Sequence, residues 1–194
     1  IRGGTVVNAA EISKCDVGVK GGRIVALGEN LTAGAQEIDA TGKYVMPGGI
    51  DSHCHIDQRS SGGGRNSETF ESGTRSAACG GTTTIICFAA QEKGELLTPV
   101  VEEYHDKAKQ SCIDYSFHLI ISDPSDEVMH EEVPKLIKAG HRSLKLFMTY
   151  PRNRLNDAEI LRVLEVAKLN QALVCVHAEN HDAIMYMTEK LLAA

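Results

Sequence analysis

No stretch of this sequence holds the ~18 consecutive apolar residues that a membrane-spanning helix requires, so no membrane span is expected. No positively charged segment runs into an apolar core at the start, so no signal peptide is read there. The chain opens on Ile1 rather than Met, which leaves room for a processed, trimmed or partial start. A basic excess is missing as well: 20 Lys and Arg stand against 26 Asp and Glu, a formal charge of −6. A nucleic-acid partner wants a basic face, and this balance argues against one. The six cysteines include no CxxC pair, and their spacing does not suggest a disulfide framework. Several fall inside apolar runs (Ile86-Cys87-Phe88, Val174-Cys175-Val176) and read as small buried hydrophobes in a reducing, cytoplasmic compartment.

What is present is ordinary. Of the 194 residues, 42% are apolar and 24% charged, which excludes disordered, collagen-like and low-complexity classes. The length suits about one domain, or one and a fraction.

Two regions differ in pattern. Residues 1–46 read as short strands with tight turns and no helical period. Thr5-Val6-Val7 is one strand; Cys15 to Lys20 and Arg23 to Leu27 flank Gly21-Gly22, a good hairpin signal. Glu37-Ile38-Asp39-Ala40 and Tyr44-Val45-Met46 follow as further short strands. So short a stretch cannot bury its own core and must lean on something else.

Residues 47–194 alternate strand and helix. Strands are expected at Gly49–His53, Thr82–Phe88, Tyr115–Ile121, Ser143–Met148 and Ala172–His177. A Gly/Ser-rich loop, Ser60 to Gly64, follows the first of them and would serve either as a connector or as a mobile cover over a pocket. Helices are expected from Ser67; across Leu97, Val100, Val101, Tyr104 and Ala108; around Leu136 and Ile137, ending at Gly140; from an Asn156 cap with Glu159 as its N3 partner, carrying Ile160, Leu161, Leu164 and Ala167; and over Ile184, Met187 and Leu191. Five units of about 30 residues each are an α/β pattern; eight would reach the ~250 residues of a closed (β/α)8 barrel. The expected fold is that TIM-type barrel with about five units present, the remainder lying on a longer chain.

The residues able to do chemistry sit at the expected strand ends. His53 and His55 flank Cys54, and in an extended chain positions i and i+2 face one side. Two imidazoles on one side suit zinc or a similar divalent ion, although a solvated pair would look the same in sequence. Lys145 lies among apolar strand neighbours, where a cation is costly to bury. It is either a snorkelling or ion-paired lysine, or a neutral amine able to add carbon dioxide and become a two-oxygen carbamate that bridges metals. His177 ends the fifth strand. His118 falls inside the third and reads as core. His105, His130, His141 and His181 read as surface.

Taken together, these segments resemble a known family. Pro47-Gly48-Gly49-Ile50-Asp51-Ser52-His53-Cys54-His55 is similar to the opening metal motif of the cyclic amidohydrolases. Gly80-Gly81-Thr82-Thr83-Thr84, Leu144-Lys145-Leu146-Phe147-Met148-Thr149-Tyr150 and Val176-His177-Ala178-Glu179-Asn180 resemble, in order and spacing, motifs of the dihydropyrimidinase and D-hydantoinase branch. The resemblance implies a barrel flanked by a small β domain, with residues 1–46 as the N-terminal share of the latter. It implies two divalent metal ions, zinc being the expected one. His53 and His55 would bind the more buried ion, carbamylated Lys145 would bridge both, and His177 would bind the second. A hydroxide bridging the metals would attack the ring amide, with Tyr150 donating a hydrogen bond to the oxyanion. A sixth-strand histidine and an eighth-strand aspartate of the family lie beyond this stretch, which alone is expected to be inactive.

Asp57 stands where related dihydroorotases carry an arginine for a substrate carboxylate. The substrate implied is therefore a neutral cyclic ureide, a dihydropyrimidine or a 5-substituted hydantoin. A homo-oligomer, by analogy a tetramer, is implied too. Two rival readings are a non-catalytic scaffold or regulatory protein on the amidohydrolase fold, and an open α/β binding domain complete at this length. The exposed edge strand of the latter argues against it.

Overall fold

At Gly21-Gly22 the chain reverses with both residues at positive φ, +58° and +72°. Only glycine takes that conformation without a Cβ penalty, and it matches the twist of the strands it joins. Those strands are β3 (Asp16–Lys20) and β4 (Arg23–Gly28), an antiparallel pair with a register shift at Gly18/Val19. They belong to the first of two compact units, Ile1–Gly48 and Gly49–Ala194, in a computed structural model that describes residues 1–59 and 64–194. The expected cover loop over Ser60–Gly64 falls largely outside the described residues.

In the first unit β1 (Thr5–Val7) pairs antiparallel with β2 (Ile12–Lys14) and parallel with β5 (Tyr44–Val45). Strand β2 has no counterpart in the sequence reading. It is placed by a turn in which the Asn8 side chain accepts from the N–H groups of Ala10 and Glu11. The expected strand at Glu37–Ala40 is instead a single bridge between Arg2 and Asp39. The Asp39 carboxylate accepts from Thr41 N–H at 2.9 Å and turns the chain away. The unit is tied by Asp16, a buried carboxylate that accepts from the N–H groups of Gly3 (2.9 Å) and Leu31 (3.2 Å) and pairs with Arg2 at 3.3 Å. Its buried apolar residues are Val6, Val17 and Ala40 alone among those described, as the small-core argument anticipates.

The second unit is built on β6 (Gly49–Asp51), β7 (Thr82–Ala90), β8 (Asp114–Ile120), β9 (Ser143–Phe147) and β10 (Leu173–His177). They form one parallel sheet in strictly sequential order. Helices α1 (Phe70–Cys79), α2 (Leu97–Ala108), α3 (Val133–Lys138), α4 (Asp157–Leu169) and α5 (His181–Leu192) follow the strands in turn. A doubly wound sheet reverses its strand order at a switch point; this one does not, and it is a partial (β/α) barrel. The central strands are buried on both faces, with Ile85, Cys87, Phe117 and Leu119 on one face and Phe88 and Ile120 on the other each at most 2% exposed.

Several local expectations change. The first strand stops at Asp51, two residues before His53. Helix α1 starts at Phe70 rather than near Ser67, because Thr69 forms a reciprocal cap with Ser72 and leaves Glu68 outside. Helix α2 lacks a local side-chain cap; Glu132, from the π-helical turn Val128–Glu132 ahead of α3, accepts from Leu97 N–H (2.6 Å) and Thr98 N–H (3.0 Å) instead. Its predicted face is buried as read, from Leu97 to Ala108. Helix α4 has the predicted Asn156/Glu159 cap but buries Val163, Val166 and Ala167, while Leu161 and Leu164 are exposed. Nothing is buried on α5. Of the cysteines, all free, only Cys87 is buried; Cys79 and Cys112 are exposed at a helix end and in a loop. His105 and His141 are half-buried and face each other, so neither is a plain surface residue.

Candidate metal centre

Strands of one parallel sheet end together, so residues at or just past their C-terminal ends meet although far apart in sequence. Here that rim encloses a cleft of about 810 Å³, lined among others by His53, His55, Lys145, Tyr150 and His177. All five residues singled out from sequence therefore reach one cavity.

His53 and His55 follow β6 in irregular chain rather than in strand. Their rings nevertheless meet edge to face, with centres 5.3 Å apart. Phe88 of β7 supports both: His55 stacks on it at 4.7 Å and His53 meets its edge at 4.8 Å. Backbone bonds hold the segment. Asp51 Oδ1 accepts from His53 N–H, and Asn66 Nδ2 donates to the His55 carbonyl. His55 Nδ1 lies 2.6 Å from Gln58 Oε1. An Nδ1–H donated there leaves Nε2 with its lone pair free, the arrangement that metal-bound imidazoles use. Burial, followed by the nearby His55, Lys145 and His118, holds His53 below the ordinary histidine range and favours its neutral form. His118 is buried beneath them, between Ser52 O (2.8 Å) and Ser143 Oγ (2.6 Å), as its strand position suggested.

Lys145 is 7% exposed. Among the described residues its Nζ has neither an ion-pair partner nor a hydrogen bond. It lies 4.9 Å from the Phe147 ring centre and 6.0 Å from that of Phe88. The snorkelling or ion-paired reading of this lysine thus lacks a partner. Phe147 carries the third imidazole, His177, stacked at 5.7 Å. His177 Nε2 is engaged by Glu179, so ligation through Nε2 requires that pair to open, while Nδ1 is free among the described residues. Tyr150 stands 5.0 Å from His177, ring to ring. Its φ of +66° is unusual for a bulky residue. Its carbonyl, accepting from the N–H groups of Asn153 and Arg154, holds that turn.

No three His, Cys, Asp or Glu side chains converge on one point among the described residues. The donors fit a metal as two imidazoles on Phe88 and a third on Phe147, with Lys145 between the two rings. A free ammonium cannot ligate, whereas a carbamate offers two anionic oxygens. Asp57 faces Arg65 at 3.6 Å and is not among the cleft-lining residues.

Sequence reasoning missed the supports: Phe88, Phe147, Gln58 and Gln91. Gln91 follows β7 and is fully buried. Its Oε1 accepts from Ser122 and Asp123 N–H, and its Nε2 donates to the carbonyls of Glu95 and Asp123. One amide thus clamps the two loops forming that side of the rim. Only its place directly after an apolar strand could have drawn notice.

Comparison with known proteins places this geometry. The model of the amidohydrolase family matches residues 44–193. A D-hydantoinase from Geobacillus stearothermophilus is 48% identical over 196 residues, covering 99% of this chain and 41% of the relative. A solved D-hydantoinase superposes with a TM-score of 0.94 at 42% identity, and a dihydropyrimidinase from Brevibacillus agri with 0.93 at 43%. Each superposition covers 99% of this chain and 42% of the other. The chain thus spans about two fifths of the length of these relatives, and with its match to the family model over most of its length it belongs to the amidohydrolase family.

Proposed function

We propose that the protein carrying this chain is a metal-dependent cyclic amidase that opens the ring amide of a neutral cyclic ureide, a 5,6-dihydropyrimidine or a 5-substituted hydantoin. In this reading residues 1–46 are the N-terminal part of a small β domain, and residues 47–194 the first part of the barrel hydrolase domain. The observation that carries the reading is Lys145: a buried amine without an ion-pair partner among the described residues, in the cleft that three imidazoles line. Similarity to hydantoinases and a dihydropyrimidinase supports the substrate class.

His53 and His55 would hold one divalent ion and His177 a second, with zinc favoured by the imidazole donors. Bound metals supply hydroxide at neutral pH by lowering the pKa of water. The chain's own residues do the rest. The Lys145 nitrogen would attack the carbon of carbon dioxide and give up its remaining acidic proton to solvent, which leaves a carbamate anion on that side chain. Gln58 fixes the His55 tautomer. Tyr150 Oη donates to the oxygen of the attacked carbonyl as negative charge develops there. Phe88 and Phe147 exclude water behind the ligands and hold the rings in place.

The test is metal content with activity. The wild-type protein should carry about two divalent ions per chain and open dihydrouracil or hydantoin. Lys145→Ala should lose metal and activity together. A Lys145→Ala protein that keeps both ions and full activity would refute the assignment.

A further inference from the structure

At the other end of the sheet, near the start of β8 and β9, two imidazoles meet outside the cleft. His105 stands on α2 and His141 on the turn between α3 and β9, and their Nε2 atoms are 3.3 Å apart. His105 Nδ1 lies 3.3 Å from Tyr115 Oη. An Nδ1–H donated to that oxygen fixes the tautomer and leaves the Nε2 of His105, which faces His141, with its lone pair free. Phe117 holds both rings, edge-on to His105 at 5.0 Å and stacked on His141 at 6.2 Å. Burial, then the neighbouring His105, holds His141 below the ordinary histidine range and favours its neutral form.

We propose that His105 and His141 form a divalent-metal site of the zinc class, separate from the cleft, that pins α2 to the turn entering β9. The distance carries the argument. A metal ~2.0–2.1 Å from each nitrogen would see two nitrogens 3.3 Å apart at an angle of about 105–110°, the tetrahedral value. Tetragonal ions, which want ligands near a right angle, suit the pair less well. Ring centres 5.2 Å apart with planes at 57° put the two imidazoles at an angle to each other. Tyr115 supplies the outer oxygen that metal-bound histidines use. No third His, Cys, Asp or Glu joins them among the described residues, so solvent completes the shell and the site exchanges readily.

The protein carrying this chain, with its cleft metals in place, is equilibrated with zinc chloride up to ~1 mM and bound zinc is counted per chain. Wild type should take up one equivalent more than His141→Gln. Tyr115→Phe should bind it about tenfold more weakly, since the outer partner is lost. No extra zinc in wild type overturns the proposal. Equal uptake by wild type and His141→Gln overturns it too, and marks adventitious zinc. Histidine ring ¹⁵N spectra of wild type give a reading that needs no variant. Zinc should shift the His105 and His141 nitrogens together; a pair that only shares a proton will respond to pH and not to zinc, which rejects the site.

Discussion

Replacing Gln91 by glutamate exchanges one NH₂ for an oxygen and reverses the sense of two hydrogen bonds. The fully buried amide accepts from Ser122 N–H at 3.0 Å and Asp123 N–H at 3.1 Å, and donates to Glu95 O at 2.7 Å and Asp123 O at 3.4 Å. A glutamate keeps both acceptor bonds. Its second oxygen then faces two carbonyls, and no geometry satisfies an anion there. The way out is to take a proton, because a protonated Oε2 donates to Glu95 O and restores the shorter bond. At pH 7 that proton costs up to about 3.7 kcal/mol against a free glutamate pKa of about 4.3. The weaker bond to Asp123 adds roughly 1 kcal/mol. The expected destabilisation is therefore about 3–5 kcal/mol near pH 7 and about 1 kcal/mol near pH 4. The sign follows from the folded-state pKa being raised: the penalty is complete above it and fades as pH falls towards the unfolded value. Urea unfolding of wild type and variant at matched pH reads the difference, with m unchanged. A penalty below about 0.5 kcal/mol at both pH values, or one that does not vary with pH, would refute the clamp.

Two further outcomes are expected. Glu132→Ala leaves the Leu97 and Thr98 N–H groups at the start of α2 without their acceptor; it should lower stability by about 2–3 kcal/mol in urea unfolding and speed hydrogen exchange in the first turn of α2, and an effect below about 0.5 kcal/mol would mean that water replaces the carboxylate. Asp16 is held below the ordinary carboxylate range by the Gly3 N–H first; burial, the next largest effect, opposes it, and the Leu31 N–H and Arg2 then lower it further. Its stabilisation is present above the unfolded pKa of 3.8 and is lost as pH falls through the lower folded value; Asp16→Asn should remove that acid sensitivity from hydrogen exchange in residues 1–31, and an unchanged acid response would point to another carboxylate.

The cleft shows how position and support divide between sequence and fold. In sequence, His53 and His55 pair because alternate residues of a strand share a face. The strand ends at Asp51, and the pair meets because both rings lie against Phe88. The residues are legible in sequence; what brings them together is the Phe88 ring, not strand alternation. Lys145 was legible as an anomaly, a charge among Leu144, Leu146 and Phe147, while its lack of a partner required the packed neighbours to be seen.

What the sequence by itself determined is what depends on near neighbours along the chain. The glycine pair of the hairpin, the Asn156/Glu159 cap, the apolar stripe of α2 and the succession of strand and helix are local, because backbone sterics and periodicity act over a few residues. The motifs that mark the amidohydrolase family are local as well. What only the tertiary structure decided depends on residues brought together from afar. Glu132 caps a helix 35 positions earlier, Gln91 ties two loops, and α4 buries Val163 and Val166 in place of Leu161 and Leu164. His105 and His141, unremarkable in sequence, face each other across 36 positions. A helical period states which residues are apolar, but the side that is covered, and the donor that meets a distant acceptor, follow from packing, where burial energy and hydrogen-bond satisfaction are settled over the whole unit.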